Sequence, residues 1–251
     1  MKYLIVDLDD TFLTSDKKIS DYSIKGLNKL RENGFLFVIN TARSYLSAKP
    51  FMEILKPDYS ILNGGTLIYD SSFNVIFQKL LDKDIVNYLL ERIKGNAKNF
   101  SVEGESGLYS NDLAYCDYNP LAKYFSFDDK YFEGAYKVLI SDTNMDLWIS
   151  LSKELNLCFE KYLTGSWARI SASTKYLGNR MLFQILQDEN PKDYVFGDDS
   201  GDIEMINNAY HGCILINARD ELKNKVKNKT LFDMNNDGVI RYMLDIINQG
   251  D

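Results

Sequence analysis

Short apolar runs of strand length, each closed by a polar or acidic side chain, recur near both ends of this 251-residue chain. YLIV (3–6) is followed at once by Asp7, FLFVI (35–39) by Asn40 and Thr41, and YVFG (194–197) by Asp198. Unbroken apolar runs of this length suit strands buried on both faces, as in a parallel sheet. Between the first two, Tyr22, Ile24, Leu27 and Leu30 share one helical face, and Gly34 supplies a stop. A helical stretch interrupted by Pro50 leads to YSIL (59–62) and a tight Asn63-Gly64-Gly65 turn. The alternation strand–helix–strand–helix–strand predicts an α/β fold, a parallel sheet with helices on both faces.

Residues 66–77 hold two short β-like runs, TLIY and NVIF, around Asp70-Ser71-Ser72, as in a hairpin. From about 80 to 170 the pattern changes. Helical patterns at 83–94 and 143–155 alternate with strand-like runs at 136–140, 158–162 and 167–171, separated by polar segments rich in Gly, Asn, Asp and Tyr. This stretch is expected to form a separate α/β insert, residues 80–170, in a core made of 1–79 and 171–251. The core pattern then returns, with a helix at 179–188, strands at 194–197 and 212–216, and a last helix at 238–247.

The formal net charge is -7, which lacks the basic footprint of a nucleic-acid binder. A small anionic substrate is still compatible, because one bound cation reverses a local field. Cys116, Cys158 and Cys213 are odd in number and form no close pair, as in a reduced chain. A cysteine nucleophile would need a base, and the sole histidine is His211. No apolar stretch approaches the roughly 20 residues of a membrane span, and the apolar run before Asp7 is too short for a signal sequence. The expectation is a cytoplasmic protein with no membrane or nucleic-acid partner.

In open α/β sheets, ligands bind outside the C-terminal ends of the strands. Asp7 and Asp9, Thr41, and Asp198 with Asp202 all follow such strands and would converge if the strands are neighbours. Clustered carboxylates repel one another unless a cation offsets them. Mg²⁺ takes oxygen ligands, commonly one or two carboxylates with phosphate and water. Asp7 and Asp198 are the expected ligands, with the Asp9 backbone carbonyl as a third oxygen and Asp202 orienting a bound water. A carboxylate such as Asp7 can attack phosphorus, Asp9 can act as general acid and base, and Thr41 can hydrogen-bond a phosphate oxygen.

Asp7-Leu8-Asp9-Asp10-Thr11, Thr41-Ala42-Arg43, Asn63-Gly64-Gly65 and Gly197-Asp198-Asp199-Ser200-Gly201-Asp202 stand in an order that resembles the haloacid dehalogenase-like hydrolases. They are most similar to the Cof-type sugar-phosphatase-like branch with a C2-type cap. Asn217-Ala218, Glu221-Leu222-Lys223 and Asp237-Gly238-Val239 fit that branch too. The resemblance implies a Rossmann-like core and a cap at the insert. It also implies Asp7 as nucleophile, Asp9 as acid/base, Thr41 on phosphate, and Asp198 with Asp202 on the Mg²⁺ side. The implied activity is Mg²⁺-dependent hydrolysis of a small phosphorylated metabolite.

Three positions depart from the family pattern. Ala42 stands where glycine is usual, and Gly201 where asparagine is usual. Leu177 occupies the place of the phosphate-binding lysine, before Gly178. Lys175, two residues earlier, is the expected replacement, with Arg180 as the other candidate. In the insert, Glu103, Glu105, Ser106, Tyr109, Asn111 and Asp112 are expected in a polar loop, with Trp167 and Arg169 near its end. Two other readings are a phosphomutase on the same scaffold and a catalytically weakened binding or regulatory protein, for which Leu177 and Gly201 speak. Residues 7–13 have no glycine-rich turn, which argues against a nucleotide-binding dehydrogenase.

Overall fold

The structure is a computed structural model that describes residues 1–141, 145–162 and 167–249. The chain divides into two compact units, Met1–Phe77 with Lys175–Asp251, and Gln78–Thr174. In chain order the elements are β1 (Lys2–Val6), α1 (Asp21–Glu32), β2 (Phe35–Asn40), α2 (Tyr45–Leu55), β3 (Tyr59–Leu62), β4 (Leu67–Asp70) and β5 (Val75–Gln78). The second unit holds α3 (Lys83–Ile93), β6 (Phe100–Gly104), β7 (Leu108–Ser110), α4 (Leu113–Tyr118), β8 (Ala122–Tyr124), β9 (Ala135–Ser141), α5 (Met145–Glu154), β10 (Cys158–Lys161) and β11 (Trp167–Ser171). The chain returns through α6 (Lys175–Ile185), β12 (Lys192–Gly197), α7 (Ile203–Asn207), β13 (His211–Ile214), α8 (Asp220–Lys223), β14 (Asn228–Lys229) and α9 (Gly238–Asn248).

The first unit carries an eight-stranded sheet in the order β14-β13-β12-β1-β2-β3-β4-β5. β14 to β3 run parallel, and β4 turns back antiparallel to β3. Tyr3, Leu4, Ile5 and Val6 are buried, as are Val195 and Phe196, as expected for central strands covered on both faces. From β1 the chain moves to β2 on one side, and β12 comes back on the other. The crevice beyond the C-terminal ends of β1 and β12 is therefore a topological switch point, the place where such sheets bind ligands.

Two local expectations change. α2 runs through Pro50 rather than breaking there. Pro50 lies on the exposed side, and the carbonyl that loses its donor belongs to exposed Leu46, where water can replace the bond. α6 begins at Lys175, not at 179. A Cβ at position 178 would come 2.8 Å from Gly65 Cα and 2.7 Å from Ile61 Cγ2. Glycine at 178 is required by the close approach of a helix to a turn.

The second unit is a six-stranded sheet, β10-β11-β9-β6-β7-β8, antiparallel except for the β7–β8 pair. Phe100, Val102, Val138, Ile140 and Ile170 share a core with Leu89, Leu90 and Trp148 from its helices. Glu103 and Tyr109 are strand residues, not loop residues, while Arg169 lies in β11, where a strand was expected; Glu103 and Arg169 are both buried. Lys137 pairs with Glu103 at 2.8 Å, and Arg169 with Glu160 at 2.6 Å. The other polar residues serve local structure. Ser106 Oγ lies 2.7 Å from Tyr109 Oη, Asn111 Oδ1 accepts from the Phe100 amide, and Asp112 caps α4.

Candidate active site

Asp7 is the first residue beyond β1, and its amide still donates to Phe196 O at 3.1 Å, one step past the β1–β12 ladder. The chain then bends sharply. Leu13 N closes back on Leu8 O, and Asp10 takes a left-handed conformation at φ 55°, which aspartate tolerates better than most residues. Asn217 holds this bend, donating from Nδ2 to Asp10 O at 2.8 Å while its Oδ1 accepts from Met234 N. Asp237 accepts from the Ser20 and Ser23 hydroxyls and so ties the start of α1 to α9.

The bend and the β12 end bring Asp7, Asp198 and Asp202 together, with one carboxylate oxygen of each within 4.8 Å of the others. Thr11 Oγ1 donates to Asp198 Oδ1 at 2.7 Å. Asp202 Oδ2 accepts from the amides of Asp198 and Asp199 at 3.0 and 3.1 Å, and Asp199 caps Ser200. This turn is therefore satisfied although position 201 is glycine. Ala42 is not among the residues with positive φ, so its methyl group costs nothing in backbone strain.

Lys175 enters the cluster. Its Nζ lies 2.8 Å from Asp7 Oδ1 and 2.6 Å from Asp202 Oδ1, and the residue is only 6% exposed. Leu177 points away and is 42% exposed. As the first residue of α6, Lys175 can extend past the helix end toward the strand termini. Burial alone would lower its ammonium, but Asp202 and Asp7 outweigh burial and hold it above its ordinary value.

The carboxylates outnumber that one cation. Burial pushes Asp198 up to about 8, with Asp202 and Asp7 repelling it. Burial likewise pushes Asp7 up to about 7, with Lys175 opposing and Asp202 adding to the rise. A buried cluster that resists full ionisation without more positive charge, and offers only oxygen donors, fits a hard divalent cation. Asp202 already has both oxygens engaged, so Asp7 and Asp198 are the freer donors.

Asp9 stands apart from this triad. Arg43 grips it with a two-pronged contact, Nε to Oδ2 and Nη2 to Oδ1, both at 2.7 Å. Lys17 Nζ lies 3.2 Å from Oδ1. Burial pushes the Asp9 carboxyl up, but Arg43 and then Lys17 overcome it and hold the group below its ordinary value. Arg43 is itself set over the Phe51 ring and donates to Ser47 O. Thr41, buried at the end of β2, receives the Gly64 amide on its carbonyl and the Arg43 amide on Oγ1. Its hydroxyl proton remains available to a phosphate oxygen.

Thr11, Lys17, Asn40 and the Arg43 grip escaped the sequence reading. Thr11 and Arg43 lie inside the quoted motifs, so a signal existed for them. Nothing in the sequence pairs Arg43 with Asp9 across 34 positions.

A family model of the haloacid dehalogenase-like hydrolases matches residues 4–243. The chain belongs to that family. Among its relatives is a protein of Buchnera aphidicola whose phosphatase assignment is provisional, 28% identical, with 97% of each chain covered. Another is a 5-amino-6-(5-phospho-D-ribitylamino)uracil phosphatase of Bacillus subtilis, 27% identical, covering 89% of this chain and 87% of that one. A solved haloacid dehalogenase-like hydrolase structure from B. subtilis shares the fold at a TM-score of 0.80 and 19% identity, over 97% of this chain and 99% of that one. Within the haloacid dehalogenase-like fold, the unit Gln78–Thr174 is the inserted cap domain. The core, with its aspartate cluster, supports a magnesium-dependent phosphatase activity.

Proposed function

We propose that this protein hydrolyses a small phosphate monoester with Mg²⁺, through a phosphoryl group carried transiently on Asp7. The observation that carries the reading is Lys175 Nζ, buried between Asp7 and Asp202. It supplies the positive charge whose usual bearer is replaced by Leu177. The reading of a weakened binding protein thereby loses its main support.

Asp7 and Asp198 would hold Mg²⁺. When bound, the ion neutralises phosphoryl charge that would otherwise repel the attacking carboxylate. Asp7 attacks phosphorus, forming an O–P bond as the bond to the leaving oxygen breaks. Asp9 gives that oxygen a proton, and the alcohol departs. Asp9 then takes a proton from water as water attacks phosphorus, the Asp7–phosphorus bond breaks, and inorganic phosphate leaves. Lys175 steadies Asp7 and phosphoryl charge, and Thr41 donates to a phosphate oxygen. Asp9 begins this cycle in the grip of Arg43, so its acid step requires that grip to open.

The Cof-type branch and the C2-type cap are part of the proposal, with the insert at 80–170 as the segment that selects the leaving group. The substrate class is a phosphorylated sugar or related polyol. A ribityl phosphate substrate in the name of the B. subtilis relative is the support for this class.

Hydrolysis of p-nitrophenyl phosphate with and without Mg²⁺ tests the activity. EDTA and Asp7→Asn should each abolish turnover, and a panel of sugar and polyol phosphates should then rank the substrates. Turnover that survives Asp7→Asn in full would remove Asp7 as nucleophile.

A further inference from the structure

We propose that Asn40 is a positioning residue for Lys175, seating the first turn of α6 so that the ammonium lies between Asp7 and Asp202. The proposal rests on the phosphatase reading for its activity test and on the core unit alone for its geometry. Asn40 is the last residue of β2 and is fully buried. Its Nδ2 donates to Lys175 O at 2.9 Å and to Asn179 Oδ1 at 2.7 Å. One amide therefore binds both ends of the first turn of α6, residues 175 and 179. Its own Oδ1 is buried and has no hydrogen-bond partner among the described residues. An unpaired buried acceptor works against stability, so this amide is explained by what its two donors hold rather than by the packing of its oxygen.

A second constraint acts on the same turn. Gly178 brings α6 against Gly65 so closely that a methyl group would meet Gly65 Cα at 2.8 Å. The glycine contact sets the height of the helix over the Gly64-Gly65 turn, and the Asn40 donors set its position along β2. Together they specify where the Lys175 backbone starts. Its side chain must then bridge two carboxylates at 2.8 and 2.6 Å, distances at which a displacement of about 1 Å breaks a hydrogen bond.

The test is a double-mutant cycle on the full chain. Asn40→Leu removes the donors while nearly conserving shape, and Lys175→Met removes the ammonium. Turnover of p-nitrophenyl phosphate with Mg²⁺ should fall at least about 10-fold in Asn40→Leu, with KM changed by less than about 3-fold. In the Lys175→Met background, Asn40→Leu should cost almost nothing further, because a residue that acts through Lys175 has nothing left to position. Equal losses in both backgrounds would overturn the proposal and leave Asn40 a general structural residue. A second readout needs no turnover. In the metal-free protein, the Lys175 side-chain nitrogen signal, identified by its loss in Lys175→Met, should shift in Asn40→Leu. An unmoved signal would also overturn the proposal. A wild-type protein without phosphatase activity would sink the functional reading and leave this spectroscopic arm to decide. If leucine prevents folding, Asn40→Ser carries the same two measurements.

Discussion

At position 175 a buried ammonium touches Asp7 and Asp202, with Asp198 in the same cluster. Lys175→Met should lower kcat for a phosphate ester by at least about 100-fold, comparable to the loss of one preorganised charge stabiliser. Steady-state kinetics at saturating Mg²⁺ checks this, and an unchanged kcat would take Lys175 out of the chemistry. The Asp9–Arg43 contact gives a pH prediction. Asp9 is held below its ordinary carboxylate value, so the contact adds stability above about pH 4, the ordinary unfolded range. That contribution fades as pH falls through the lower folded value. Both partners are partly exposed, so the effect is small. The thermal midpoint of wild type minus that of Arg43→Met should stay level from neutral pH to about pH 4 and shrink below it. A difference that grows on acidification would contradict this account.

At the scale of elements, charge is also buried in the cap. Lys137 on β9 faces Glu103 on β6 as its cross-strand partner. Removing one member of such a pair strands the other, at a cost of about 3–5 kcal/mol, whereas replacing both by apolar residues is often neutral. Lys137→Met should therefore lower denaturation midpoints clearly, and Lys137→Met with Glu103→Leu should recover most of the loss. Equal destabilisation by the single and double variants would show that the pair is not the cause. In this sheet the runs at 136–140, 158–162 and 167–171 read as strands, whereas β6 and β7 did not. FSVEG alternates apolar and polar over only four residues before Gly104, and LYS is three residues long, so neither carries the unbroken apolar run of a central strand. The core strands were legible because burial on both faces leaves unbroken apolar runs. The start of α6 was not, because Gly178 answers to a contact with Gly65, 113 positions away in sequence, which no local pattern records.

For the whole molecule, the sheet order decides function. Placing β12 beside β1 turns two acidic strand ends nearly 200 residues apart into one cluster. A chain of net charge -7 can then attract a phosphate ester only with added positive charge at that point. Mg²⁺ should accordingly bind the folded core and stabilise it, by about 2.7 kcal/mol at 100 times its Kd. Thermal melting with rising Mg²⁺ should show an upward shift that EDTA reverses and Asp198→Asn removes. Hydrogen exchange should slow at the Asp198 and Asp199 amides. A full shift retained in Asp198→Asn would mean that the ion binds elsewhere. Among the described residues, no helix is long and apolar enough to cross a membrane.

By itself, the sequence determined the class of sheet, the acids at its strand ends and the oxygen-rich character of their site, because each depends on side chains close together along the chain. Tertiary structure alone decided that Lys175 rather than Leu177 reaches Asp7 and Asp202, that Arg43 pairs with Asp9, and that Asn40 hydrogen-bonds the first turn of the helix carrying the lysine. Each of these depends on distances between separate elements, which are set by helix packing and burial and are invisible to periodicity.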